Sequence, residues 1–299
     1  MQRLYLIDTM FFIFRAFYAV PALTAPCGSP TNAVHGVLGL LKNLWQTERF
    51  SHAVAVFESS TPTFRKELDS EYKANRKPAP VELRSQVAMV RVACECLGIN
   101  TIHIDGYEAD DVIGTLARRA VESELAVTIV SNDKDLAQLL EISKFIELLR
   151  TGKKGRPERI SREEVETLYG VPPHLITSWI ALRGDPSDNI KGVPGIGQKT
   201  ATKLLTKHGH IQALLDDPEK AGRFAPHFRE NRDQVLLDLD LATIRTDIDL
   251  SPEGFPENNF ALKPIDGAEE FFKDLGMNGQ LSRVQSMDRA HATLADLWL

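Results

Sequence analysis

The chain has 299 residues, 43% of them hydrophobic, enough for one large or two smaller folded domains. Its net charge of -6, from 35 basic and 41 acidic residues, neither supports nor excludes DNA binding, because charge distribution matters as much as the sum. Cys27, Cys94 and Cys96 lack the spacing of a disulfide framework or a zinc site, and we expect a reducing, cytoplasmic location.

The N-terminal stretch is apolar, but Asp8 and Arg15 interrupt it. A secretory signal contains an uncharged run of about 7–15 residues and a membrane span needs about 20. We therefore predict a buried strand, LYLID, followed by a helix, with no targeting or membrane segment.

In the first half of the chain, short runs rich in Val and Ile end at carboxylates, and helical patterns follow. The runs are LYLID, AVAVFE, TIHID and AVTIVSNDKD. This alternation predicts an α/β fold with a mostly parallel central sheet flanked by helices. Because sites form outside the carboxyl ends of such strands, we expect the acids to meet at one edge: Asp8, Glu58, Glu108, Asp110, Asp111, Asp133 and Asp135.

For any one of these acids taken alone, turn or helix-capping chemistry is the favoured explanation. Acids at four successive strand ends, however, favour a metal site. No His or Cys accompanies them, so the ion should be oxygen-loving, Mg²⁺ or Mn²⁺, and the number of acids indicates two ions.

A basic stretch, TFRKELDSEYKANRKPAPVELRSQ, follows the second strand, with Tyr72 among its charges and Pro78 and Pro80 interrupting any helix. It is either a solvated helix or a mobile element that neutralises a scissile phosphate. A second basic loop, TGKKGRPER at residues 151–159, either tracks a nucleic-acid strand or is simply solvated.

The second half contains GVPGIGQKTATKLL, the pattern of a helix-hairpin-helix. Gly195 and Gly197 permit a tight turn, and the free N–H groups of the next helix can hold a phosphate. Lys199, Thr200 and Lys203 follow on that helix. The pattern predicts sequence-independent contact with duplex backbone, the alternative being a plain turn. Asp185 and Asp188 precede the hairpin, where a cation would be needed between them and a phosphate.

These motifs resemble the 5'-nuclease (flap endonuclease) superfamily, most closely the 5'-3' exonuclease domain of bacterial DNA polymerase I. The resemblance runs from about residue 3 to about residue 285 through GYEADDVIGTLA, TIVSNDKDLAQL and the hairpin region. It implies a PIN/resolvase-like nuclease domain over 1–169 with a helical arch at about 64–86. A helical H3TH DNA-binding region over 170–285 and a tail over 286–299 would follow.

The resemblance also implies residue roles. Asp8, Glu58, Glu108 and Asp110 would surround one Mg²⁺, Asp133, Asp135 and Asp185 would approach a second, and Asp111 and Asp188 would complete the shell. Lys73, Arg76 and Arg15 would contact the scissile phosphate, with Tyr72 near the terminal base. The hairpin would hold K⁺.

Three departures from the family pattern stand out. Glu58 replaces the usual Asp, Thr9, Met10 and Phe11 replace Gly-Ser after the first acid, and no polymerase follows, which fits a free-standing nuclease or a fragment.

We expect a monomeric, structure-selective 5'-3' exonuclease and 5'-flap endonuclease of replication and repair, with DNA as partner and a separate DNA polymerase as a further candidate. The alternative is a DNA-junction-binding protein of the same fold whose catalysis Glu58 has weakened. An RNA-cleaving nuclease is disfavoured by the duplex-gripping hairpin.

Overall fold

A computed structural model describes residues 1–152, 156–251, 260–264 and 266–279. The strands are β1 (Arg3–Asp8), β2 (His52–Val56), β3 (Asn100–Ile102), β4 (Ala126–Val130), β5 (Ile146–Thr151) and β6 (Pro157–Ile160). The helices of the first half are α1 (Thr9–Ala19), α2 (Asn32–Glu48), α3 (Phe64–Leu68), α4 (Val81–Cys96), α5 (Ala109–Glu122) and α6 (Arg162–Tyr169). Those of the second half are α7 (Ile176–Arg183), α8 (Gln198–His208), α9 (Gln212–Asp216), α10 (Ala225–Glu230), α11 (Arg232–Ala242) and α12 (Ala268–Asp274). Short 3₁₀ segments lie at Asp135–Glu141, Pro173–Leu175 and Pro218–Phe224.

The six strands form one sheet in the order β3-β2-β1-β4-β5-β6. Strands β1 to β5 run parallel to one another, and β6 runs antiparallel to β5 at the edge. The predicted α/β class with a mostly parallel sheet is confirmed, as are the N-terminal strand and helix. Strands β5 and β6 were not predicted from the sequence. Strand β3 covers Asn100–Ile102, so only the first two residues of TIHID pair regularly.

The strand order reverses at β1. The chain passes from β1 to β2 on one side and later returns to β4 on the other. Asp8 therefore lies opposite Val56 of β2, and Ile7 lies opposite Val130 of β4. Residues that follow these three strands meet at the switch point, where open α/β sheets form their sites.

Apolar side chains cover both faces of the sheet. One face packs against α1, α2 and α4 through a core that includes Phe12, Trp45 and Leu83. The other face packs against α5, and the same core continues without interruption into the helical second half, reaching Trp179 and Leu205. One buried cluster thus joins the sheet to the helical region.

Some predicted segments lie outside the described residues. These are positions 153–155 of the basic loop, the closing helical stretch beyond residue 279 and the tail over 286–299. Within the part of the chain that is described, no helix has the length and apolar character required to cross a membrane.

Candidate active site

The first acid lies at the end of the central strand. Asp8 Oδ1 accepts a hydrogen bond from the Phe11 N–H at 3.2 Å, which caps α1, and Oδ2 accepts one from Ser131 Oγ at 2.6 Å. Burial raises the pKa of Asp8 to about 6; both hydrogen bonds oppose the rise and the charge of Asp133 adds to it. A carboxylate in this situation is stabilised when a cation approaches.

Glu58, just beyond β2, reaches the start of α5. Its Oε2 accepts a hydrogen bond from the Ala109 N–H at 2.9 Å. Ala109 is the first residue of α5, so Glu58 satisfies one of the N–H groups that have no partner within a helix. Burial, with the charge of Glu108, raises the pKa of Glu58 to about 7.

Glu108 and Asp110, at the start of α5, have different surroundings. Glu108 is buried and accepts hydrogen bonds from Lys73 Nζ at 2.7 Å and from Tyr72 OH at 3.1 Å. The Asp110 side chain makes no hydrogen bond within the described residues. Burial raises the pKa of Asp110 well above its usual value, and the charges of Asp133 and Asp8 raise it further.

Asp111, the third acid of this stretch, faces elsewhere. It is fully buried, and its two oxygens accept from the terminal nitrogens of Arg65 at 2.7 and 2.9 Å. The Arg245 N–H also donates to it at 2.8 Å. Successive helical residues point about 100° apart, and Asp110 and Asp111 point in different directions here. Asp111 was expected in the metal shell, but it does not line the cavity described below.

Beyond β4, backbone N–H groups of the loop donate to side chains of the same loop. The Asp135 N–H donates to Asp133 Oδ1 at 2.9 Å, and the Asp133 N–H donates to Ser131 Oγ at 3.0 Å. Burial and the charge of Asp133 raise the pKa of Asp135 to about 7. Its Oδ1 is buried and accepts no hydrogen bond from the described residues, with Lys134 Nζ 3.5 Å away.

The loop before the hairpin carries the last two acids. Asp188 accepts from Arg76 at 2.5 Å and from Tyr72 OH at 3.0 Å. Asp185 Oδ1 accepts from the N–H and hydroxyl of Ser187 at 2.9 and 2.7 Å, and its Oδ2 accepts from Lys134. Burial alone would raise the pKa of Asp185, but these donors lower it.

Six of the nine predicted acids line one cavity of about 520 Å³ at the switch point, together with the three predicted phosphate-contacting basic residues. Met10, Phe11, Phe14 and Tyr18 of α1 form its apolar wall. Asp111, Asp135 and Asp185 lie off this cavity. The acids and then the basic residues that line it are Asp8, Glu58, Glu108, Asp110, Asp133, Asp188, Arg15, Lys73 and Arg76.

The predicted arch segment begins with the short helix α3, continues through turns and rests on the loop at 185–190. The Lys73 N–H donates to the Asp188 carbonyl at 3.0 Å, and Asn75 Nδ2 donates to the Pro186 carbonyl at 2.6 Å. The Tyr72 side chain is buried, which leaves no ring face open to a base. Burial alone would lower the pKa of Lys73, but Glu108 and Asp188 raise it.

The acids around the cavity offer the oxygen ligands that hard divalent cations prefer. All are carboxylates, several have raised pKa values, and Asp110 has no hydrogen-bond donor within the described residues. In the described chain, however, no three of them already converge as a ligand cluster for one ion. Lys73 and Arg76 instead supply positive charge to Glu108 and Asp188.

The hairpin presents its backbone to solvent. Gly195 has a φ of 79° and is exposed, as are Gly197, Lys199 and Lys203, while Thr200 is half-buried. Gly197 caps α8 without any side-chain hydrogen bond, and among the described residues no acceptor is recorded for the N–H groups of Gln198 and Lys199.

A buried acid braces the turn before the hairpin. Asp238 Oδ2 accepts from the Gly192 N–H at 2.8 Å. Gly192 has a φ of 69°, and a Cβ there would lie 2.3 Å from the Gly184 nitrogen. No other residue type fits that approach.

Several residues around the site were not anticipated as site residues. Arg65 fixes Asp111, Ser131 orients Asp8 and Asp133, Lys134 pairs with Asp185, and Asp238 holds the hairpin. The sequence offers only indirect signals, such as a Ser directly after a strand and a Lys between two acids.

A mostly parallel sheet with acids gathered at its switch point, joined to a helical hairpin region, is the architecture of a nuclease built on a resolvase-like domain. Residues 3–170 match the family model for the 5'-3' exonuclease N-terminal resolvase-like domain, and residues 171–267 match that for the 5'-3' exonuclease C-terminal SAM fold. The chain belongs to the 5'-3' exonuclease family. The predicted family and class of enzyme are confirmed.

Among its relatives, DNA polymerase I of Pseudomonas aeruginosa is 42% identical over 259 residues, which cover 84% of this chain and 28% of that protein. The chain thus spans less than a third of that polymerase. The 5'-3' exonuclease of Aquifex aeolicus is 33% identical over 291 residues and is covered for 97% of its length, as is this chain.

A solved structure of the bacteriophage T5 D15 flap endonuclease, as a pseudo-enzyme-product complex with DNA and metal ions, has the same fold. It superposes with a TM-score of 0.67 at 19% identity and covers 95% of this chain and 100% of that one.

Proposed function

We propose that this chain hydrolyses DNA phosphodiesters near the junction of duplex and 5' single strand, as a 5'-3' exonuclease and 5'-flap endonuclease. The observation that carries the proposal is the cavity at the switch point, where six carboxylates and three basic side chains face one space. Hydrolysis of a DNA strand needs carboxylates to hold the cations and positively charged side chains to bind the phosphate.

Asp8, Glu58, Glu108 and Asp110 would hold one Mg²⁺ or Mn²⁺ ion, and Asp133, with Asp135 and Asp185, would hold a second. Bound ions of this kind activate a water and stabilise the attacking and leaving oxygens of an in-line displacement. Asp188, which lines the cavity, would complete the shell. Asp111 would act indirectly, because it holds Arg65 in place. The Arg65 guanidinium lies 3.4 Å from the Glu108 carboxylate.

The basic side chains would bind the phosphate. Lys73, Arg76 and Arg15 reach the cavity from different elements, so a phosphate lying there would meet positive charge from more than one direction. Charge that grows on the phosphate during displacement is stabilised by such preset donors. Because Lys73 and Arg76 now pair with Glu108 and Asp188, substrate and metal binding must redistribute these ion pairs. Tyr72 would meet the terminal base only after the same segment moves.

The hairpin would bind the sugar-phosphate backbone of the duplex. Gly195 and Gly197 let a phosphate approach the first N–H groups of α8, while Lys199, Thr200 and Lys203 add charge and a hydroxyl. A K⁺ ion between the hairpin carbonyls and a phosphate belongs to the same proposal. So do a monomeric state, a cytoplasmic location and cooperation with a DNA polymerase.

A cleavage assay tests the proposal. Purified protein is incubated with end-labelled DNA carrying a 5' flap, in Mg²⁺, in Mn²⁺ and after chelation. We expect cutting near the junction with either metal and none after chelation. A matched RNA flap should be cut less.

Tight binding without cutting at any metal concentration would instead support the junction-binding alternative. Glu58 lines the cavity despite its extra methylene, which favours the enzyme.

A further inference from the structure

Lys134 lies between two of the acids assigned to the second ion. Its Nζ donates to Asp185 Oδ2 and lies 3.5 Å from Asp135 Oδ1. That Asp135 oxygen is buried and accepts no hydrogen bond from the described residues. The ammonium group therefore already occupies the position from which a cation would face both carboxylates.

The acids assigned to the first ion also have protein cations beside them, because Glu108 pairs with Lys73 at 2.7 Å and with Arg65 at 3.4 Å. Among the acids assigned to the second ion, Lys134 faces both Asp135 and Asp185, and Asp185 also meets Arg183 at 3.8 Å. A divalent ion arriving between Asp135 and Asp185 must therefore displace the charge of Lys134.

Lys134 is able to leave. Its side chain is 32% exposed, and a lysine carries a compact charge on a flexible four-carbon stem. Moving the ammonium group into water would uncover both carboxylates without disturbing the backbone.

We propose that Lys134 competes with the second divalent ion, which enters between Asp135 and Asp185 only when Lys134 withdraws. This inference rests on the proposed function, because it takes the two-ion assignment from it.

Metal binding without DNA tests the proposal directly. Free Mn²⁺ is measured by electron paramagnetic resonance during titration of the wild type, Lys134→Met, Lys134→Arg and the surface control Lys144→Met. Lys134→Met should tighten one of the two ions by up to about fivefold, the scale of one lost ion pair that is partly exposed to water, and leave the other ion unchanged. Lys134→Arg and Lys144→Met should match the wild type.

Other outcomes overturn the proposal. If Lys134→Met leaves both affinities unchanged or weakens them, Lys134 is not a competitor. If it only weakens DNA binding in Ca²⁺, Lys134 is a phosphate contact. The flap assay on the wild type is read separately: absence of cleavage defeats the nuclease proposal, whereas the Mn²⁺ titration still decides the role of Lys134.

Discussion

Arg65 and Asp111 form a two-pronged ion pair, 2.7 and 2.9 Å long, between side chains that are 2% and 0% exposed. Arg65 also donates to the carbonyls of Leu241 and Thr243. The pair therefore fastens the end of α11 to the start of α5. An acid within the GYEADD stretch thus has structural partners rather than a place in the cavity.

We expect Arg65→Met to destabilise the fold by about 3–5 kcal/mol, because Asp111 would remain buried without a cation. Chemical denaturation measures the loss. Arg229→Met, which removes an exposed pair with Glu219, should cost under about 1 kcal/mol. Similar small losses for both variants would show that the buried pair contributes little.

Asp133→Asn should reduce cleavage by at least about a hundredfold, because a neutral amide is a poor ligand for a hard cation. DNA affinity in Ca²⁺ should persist, since the hairpin contacts remain. Initial rates on a 5' flap and fluorescence anisotropy measure the two properties. Asp240→Asn, on the exposed face of α11, is the matched control. Normal turnover by Asp133→Asn would remove this residue from the site.

The raised pKa values of the cavity acids predict an unusual pH dependence for the metal-free protein. The pKa of Glu58 rises from 4.5 to about 7 and that of Asp8 from 3.8 to about 6. The folded state then binds more protons than the unfolded state between these limits, so stability falls as pH rises through that window.

Thermal denaturation with chelator, at about pH 5 and about pH 7.5, measures this dependence. The melting temperature of the wild type relative to Glu58→Gln should fall at the higher pH, and saturating Ca²⁺ should reverse the fall. A wild type that gains stability relative to Glu58→Gln as pH rises would contradict the raised pKa of Glu58.

Lys203→Ala should weaken binding to duplexes of every sequence to the same extent. If Lys203 contacts one phosphate, the slope of log K against log salt should drop by about one unit. Titrations of two unrelated duplexes at several salt concentrations, with Lys144→Ala as control, measure both quantities. Loss confined to one duplex would point to base readout instead.

The acids at strand ends could be predicted because strand periodicity and sheet topology determine where those positions lie. Nothing more was required to place four of the acids at the cavity, namely Asp8, Glu58, Asp110 and Asp133. The direction of Asp111 depends on Arg65, which is 46 positions earlier in the chain, and no local pattern announces that pairing. Likewise, Lys134 reads as a surface lysine until the loop carrying Asp185 is placed beside it. Long-range partners therefore account for what the sequence left open in the site.

The buried cluster that runs from the sheet into the helical region has a consequence for how this chain can be divided. The two family models meet between residues 170 and 171, yet apolar side chains from both sides pack together there, Val165 with Val171 and Leu175 among them. A fragment ending at residue 170 would expose this apolar surface to water. We therefore expect the two parts to fold and unfold as one cooperative unit.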